Sequence, residues 1–257
     1  LHHRHQHLCR RRHHAEQPWP VRVTREQLQR IRRRHFGYRI TLLVELLLLV
    51  LLPVAQRFPW LLALMLCALA VALVVFVSRY SALQRTKPLI YGLGALAVAL
   101  ELIWHGALLW APALGRWLTL PHVIVWSLFL LVAVIRKVKS LIREPFVTPS
   151  VVLGAASGYL TVGIAGGVLL TALWVLHPQS FVEAALPPQA VGQMGTAAAA
   201  PALLVSAFGL LTTVGTAVLQ PSDVTAQVIA VLITISGQLY VAILIGLILG
   251  RVHQRLL

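Results

Sequence analysis

The chain has 257 residues, 58% of them hydrophobic and only 11% charged, with a mean hydropathy of +0.82. A soluble domain carries roughly 45–50% apolar residues, so composition excludes an ordinary soluble globular protein and predicts an all-α integral membrane protein. The formal charge of +15 does not indicate nucleic acid, because the basic residues sit at the N-terminus and between long apolar runs, where they set topology and meet lipid headgroups.

Residues 1–19, LHHRHQHLCRRRHHAEQPW, form a His/Arg-rich low-complexity stretch that cannot bury a core, and disorder is expected. Nothing fixes its six histidines as ligands, so no metal site is predicted. After Pro20, Thr24 and Gln27 make a capping box, Leu28 and Ile31 share a face, and Gly37 offers a stop. Arg25, Arg30, Arg32, Arg33 and Arg34 surround that stripe, which suits a short helix on an anionic membrane surface or a merely solvated one. Residues 1–38 are expected to be a basic cytoplasmic tail whose partner is anionic lipid. The first apolar run begins near Ile40 with no small-residue cleavage site behind it, so no signal peptide is expected. The two cysteines, Cys9 and Cys67, are too few and too poorly placed for a disulfide framework.

Six apolar segments follow, at about 39–55, 58–78, 89–110, 118–136, 150–176 and 226–249, each near or above the roughly 17–25 residues that span a bilayer. With the N-terminus inside, every Lys and Arg except Arg57 and Arg116 falls in a cytoplasmic segment. That bias predicts six spans with both ends cytoplasmic. In this layout Arg136, Lys137, Lys139 and Arg143 mark the cytoplasmic edge of the fourth span.

Three ionisable residues, Glu45, Glu101 and His105, lie within spans, where such groups are paired or functional. Glu101 and His105 are four apart and are expected to meet on one helix face. Ser157 beside Gly158, with His105 and His122 in other spans, superficially suggests a serine hydrolase. The spacing brings no base to that hydroxyl, and Ser157 also fits as a small packing residue, so no enzyme is expected. No repeat relates the two halves of the chain, which disfavours a transporter.

About 50 residues separate the fifth and sixth spans and contain no Lys or Arg. Within them the apolar stretch GTAAAAPALLVSAFGLLTTVG is too short to cross and return. It reads as a re-entrant helix, tolerated at membrane depth only where protein or water satisfies its backbone. Residues 204–221, LVSAFGLLTTVGTAVLQP, resemble the pore helix and filter of potassium channels. Phe208 and Leu211 stand at the family's aromatic and leucine positions, Thr212, Thr213, Val214 and Gly215 match TTVG, and Pro221 follows. Residues 236–250, SGQLYVAILIGLILG, are similar to the inner helix of bacterial six-span potassium-channel-like proteins, and residues 147–181 to their fifth span. Gly237, 22 residues beyond Gly215, lies about where that family has its hinge glycine.

The resemblance implies six transmembrane helices with a re-entrant pore helix and filter loop between the fifth and sixth. Residues 39–146 form a four-helix region and residues 147–257 the pore module. It further implies a homotetramer in the bacterial inner membrane that conducts potassium or cations passively, with K+ as the permeant ion and no cofactor. Backbone carbonyls of Thr212, Thr213, Val214, Gly215 and Thr216 are then the ion-binding filter. Turning successive carbonyls to one axis needs alternate residues at positive φ, which Gly215 suits, and inward-aimed carbonyls at the end of the pore helix add negative potential. Where the family has Tyr-Gly-Asp, this chain has Thr216, Ala217 and Val218. An alanine in the left-handed region costs roughly 1–2 kcal/mol, so the outer filter is expected to rearrange and selectivity or conduction to suffer. Asp223 and Glu183 are expected to replace part of the lost negative ring. The fourth span carries no periodic Arg or Lys, so no voltage sensor is expected. Only eight residues follow Leu249, and no C-terminal ligand-sensing domain is expected.

Overall fold

The computed structural model describes residues 25–80, 87–142, 148–183, 196–215 and 219–256. The low-complexity stretch 1–19, the Thr24 cap and the departure at Thr216, Ala217 and Val218 lie outside them. Most of the described chain is helical, with two three-residue strands and short turns between the helices. In order it forms α1 (Arg25–Ala55), α2 (Pro59–Tyr80), α3 (Lys87–Trp110), α4 (Pro112–Ile142), α5 (Pro149–Leu176), β1 (Phe181–Glu183), α6 (Thr196–Leu211), β2 (Leu219–Pro221) and α7 (Val224–Leu256).

Five helices are long and apolar enough to cross a bilayer: the His35–Ala55 part of α1, Pro88–Trp110 of α3, α4, α5, and Val224–Leu247 of α7. The apolar part of α2 is shorter, Trp60–Phe76. These helices mark a membrane-embedded protein, because so many exposed leucines, isoleucines and valines on their outer faces exceed what a monomer leaves in water.

The expected stop at Gly37 does not occur, and α1 runs unbroken from the basic stripe into its first apolar span. Tertiary contact decides this. Tyr38 is wholly buried and its hydroxyl meets Ser140 Oγ of α4 at 2.7 Å, while Thr41 Oγ1 donates back to the carbonyls of Gly37 and Tyr38, each at 3.1 Å. A glycine is only a weak local stop when packing holds the turns on both sides. Likewise α4 starts at Pro112 rather than near 118, since a proline suits the first turn, whose amide has no partner within the helix.

The central element is α5. Of its apolar window 61% is buried, against 22–33% in the other four long apolar helices, because it is enclosed by α1, α4, α6 and α7. Small residues allow that approach. A side chain at Gly158 would collide with the Tyr240 hydroxyl of α7, and one at Gly163 with the Phe208 ring of α6. The ends of α5 and α7 are then tied together, because β1 pairs antiparallel with β2, Phe181 opposite Pro221 and Glu183 opposite Leu219. Asp223 follows as the N-cap of α7, its Oδ1 accepting the Ala226 amide at 2.7 Å.

Candidate functional site

The filter-like residues form an exposed turn at the C-terminal end of α6. Leu211 is completely buried and is gripped from two sides. Tyr159 of α5 donates from its hydroxyl to the Leu211 carbonyl at 3.0 Å, and Thr234 of α7 donates to the Leu210 carbonyl at 3.1 Å. Thr234 is ten residues into α7, about 15 Å along it, and Tyr159 is about 26 Å along α5 from Leu176. The end of α6 therefore lies against the middle of both long helices, and the chain returns from Leu211 to β2 within eight residues.

The turn itself is compact. Thr212 donates its amide to Phe208 O at 3.0 Å, Thr213 to Leu210 O at 3.1 Å and Gly215 to Gly209 O at 3.1 Å. Thr213 and Gly215 have positive φ, 62° and 92°, while Val214 between them does not and is 85% exposed. Gly215 adopts its conformation without penalty; Thr213 is a β-branched residue in a region such residues avoid. The hydroxyl of Thr213 bonds to the Thr212 carbonyl at 2.6 Å, and that of Thr212 to Phe208 O at 2.8 Å. The Gly215 carbonyl oxygen rests where a side chain at Gly209 would stand, so only glycine fits at 209. The Leu211 and Leu210 carbonyls at the end of α6 thus accept from Tyr159 and Thr234.

Gly237 is buried and α7 runs straight through it. A Cβ there would lie 2.6 Å from the Leu211 carbonyl oxygen, so this glycine lets the end of α6 close onto α7. Asp223 stands beside the turn's return path, with Ser180 Oγ donating to its Oδ2 at 2.9 Å. The Ala226 amide, the Ser180 hydroxyl and nearby His177 together hold its carboxyl below the usual aspartate range.

Two buried polar clusters join the helices around α5. Lys137, taken from its charge pattern as a cytoplasmic edge residue, is fully buried instead. Its Nζ lies 2.9 Å from Glu45 Oε1, 2.7 Å from Ser157 Oγ and 2.8 Å from Thr161 Oγ1. Thr161 in turn donates to Glu45 Oε1 at 2.6 Å, and Ser157 to Thr41 at 3.2 Å. Ser157 thus meets neither His105 nor His122; its partner is an ion-paired lysine. A lone glutamate in a span needs a cation, and that was the signal by which Lys137 could have been found.

In the second cluster Glu101 and His105 do face one side of α3, but the hydrogen-bond partner of Glu101 comes from another helix. Glu101 Oε2 is 2.7 Å from His122 Nε2 of α4, and the His122 ring stacks on Trp104 with centroids 4.4 Å apart and planes 7° from parallel. Trp104 Nε1 is anchored by Thr119 Oγ1 at 2.9 Å. His105, on the same helix as Glu101, has no hydrogen-bond partner for Nε2 among the described residues, and neither has His122 Nδ1. An unpaired buried donor or acceptor costs about 1–3 kcal/mol. Among the described residues no group of three His, Cys, Asp or Glu side chains is arranged to hold a metal ion.

No protein-family model matches the chain, and neither a curated protein nor a solved structure is significantly similar to it.

Proposed function

We propose that the chain is the pore-forming subunit of a tetrameric potassium or cation channel that mediates passive ion transport across the bacterial inner membrane. In this reading α5, α6 and α7 are the outer helix, pore helix and inner helix, α2 is the sixth span, and both termini are cytoplasmic. Anionic lipids meet the basic N-terminal segment, and K+ is the permeant ion.

The observation that carries the reading is the backbone of the turn. Positive φ at Thr213 and Gly215, two positions apart with Val214 between them, is the alternation a filter needs to turn successive carbonyls to one side, and it occurs on an exposed turn. One such turn per chain leaves an incomplete coordination shell, and rings of carbonyls from several copies would complete it. Gln238 supports the same assembly: it is exposed on α7, in mid-span, where a polar side chain belongs against water or protein rather than lipid.

A second reading, a channel-derived membrane protein that is non-conducting or non-selective, has its own support. The Thr212 carbonyl accepts from Thr213 Oγ1, the Gly215 carbonyl is set against Gly209, and Thr216, Ala217 and Val218 replace the residues that brace the family's outer filter. Full-length protein in liposomes, with potassium and sodium flux measured in parallel, separates the two. Potassium flux above empty vesicles is expected for a channel. Its absence, with tetramers seen by crosslinking, is the outcome of the second reading.

A further inference from the structure

Between α2, α3, α4, α5 and α6 lies a cavity of about 30 Å³, lined by Leu62, Ala63, Leu66, Trp104, Thr171 and Leu204 among others, together with Glu101, His105 and His122. A water needs about 10–15 Å³ measured in this way, so one or two fit. The apolar walls alone would leave the cavity dry, but two of its lining histidines present buried nitrogens that nothing in the described protein satisfies: His105 Nε2 and His122 Nδ1.

Proton bookkeeping makes the need for water independent of the state of the pair. When Glu101 and His122 share one proton across their 2.7 Å contact, His122 Nδ1 carries a hydrogen that requires an acceptor. When the Nδ1 hydrogen leaves by way of water and the imidazole still donates Nε2–H to the carboxylate, Nδ1 becomes an acceptor that requires a donor. Water serves both states; an apolar wall serves neither.

We propose that this cavity is an intramembrane proton-binding site, in which one or two waters link His122 Nδ1 to His105 Nε2 and the Glu101–His122 pair holds one proton that His105 can receive. The groups facing it are few. The third helix of the chain, α3, supplies Glu101 and His105, and α4 supplies His122. From α2 come apolar walls, with the Cys67 thiol as the titratable group of that helix within electrostatic reach of Glu101. From α5 comes Thr171, whose hydroxyl is already given to Gly167 O at 2.8 Å, and α6 adds only Ala200 and Leu204. The site does not depend on whether the chain conducts ions.

The test is solid-state NMR of the full chain, 15N-labelled at histidine, in phosphatidylcholine liposomes. Wild-type protein should show magnetisation transfer from water to the side-chain nitrogens of both His105 and His122. In E101Q the side-chain nitrogen signals of both histidines should change together. Ala63→Val, which fills the cavity without touching the pair, should abolish the water transfer at both. Absence of water transfer in the wild type overturns the proposal, as does an E101Q change confined to His122 or water transfer that survives Ala63→Val. The wild-type and Ala63→Val spectra decide the matter even where E101Q fails to fold.

Discussion

The hydroxyl of Tyr159, in the middle of α5, donates to the carbonyl oxygen of Leu211, the last residue of α6, at 3.0 Å. This contact and its counterpart from Thr234 to Leu210 fix where α6 ends, and hence where the Thr212–Gly215 turn stands relative to both long helices. Backbone carbonyls at a helix end must find partners when water is excluded, and here α5 and α7 supply them.

Replacing Tyr159 by Phe and Thr234 by Val removes those donors while keeping shape. Each change should lower stability by about 0.5–1.5 kcal/mol, and the double variant should loosen the turn. Hydrogen exchange of the Thr213 and Gly215 amides reads this directly: faster exchange in both variants is expected, and unchanged exchange would show that the turn is held by α6 alone.

The Lys137–Glu45 ion pair is enclosed on all sides. Lys137→Met leaves a buried, unpaired carboxylate and should destabilise by about 3–5 kcal/mol, whereas Lys137→Met with Glu45→Leu should recover most of that loss. Unfolding in mixed micelles provides the comparison. A single variant as stable as the parent would mean that Glu45 is hydrated rather than sealed.

Gly237 distinguishes packing from hinge bending. Gly237→Ala puts a methyl group against the Leu211 carbonyl, 2.6 Å away before any adjustment, and overpacking of this kind costs about 1–3 kcal/mol. If the residue were only a hinge, Ala would stiffen α7 without lowering the unfolding midpoint; a fall in that midpoint is expected.

Asp223 gives the joined ends of α5 and α7 a pH dependence of known sign. Its carboxyl lies below the usual aspartate range because the charged form accepts from Ala226 and Ser180. The stabilisation it gives is therefore fully present above the unfolded value of about 3.9 and is lost as pH falls through its own lower value. Protection of the Ala226 amide should hold from neutral pH down through about pH 4 and be lost only as pH falls on through the lower value of the folded carboxyl. Asp223→Ala should show the low protection at every pH.

What the sequence revealed was mostly local. The five long apolar helices, the short apolar stretch that became α6, and the positive φ of Gly215 all follow from composition and residue type over a few positions. What it concealed was tertiary. Lys137 sits among Arg136, Lys139 and Arg143, and a charge count cannot separate the one that turns inward toward Glu45, 92 positions away. Glu101 had a plausible partner one turn along its own helix, yet a histidine from α4 approached in better geometry. Gly37 looked like an end because a glycine is an end only when nothing packs across it. Thr213 at positive φ contradicts its own preference, so no propensity could have announced it.

The pore reading turns on flux. Full-length chain in liposomes, alongside the variant carrying Thr216→Tyr, Ala217→Gly and Val218→Asp, should be compared for potassium and sodium entry. Potassium entry by the parent, with selectivity over sodium sharpened in the variant, is the predicted result. If neither protein admits either ion above empty vesicles, the turn after α6 is not a pore and the account of its function is wrong.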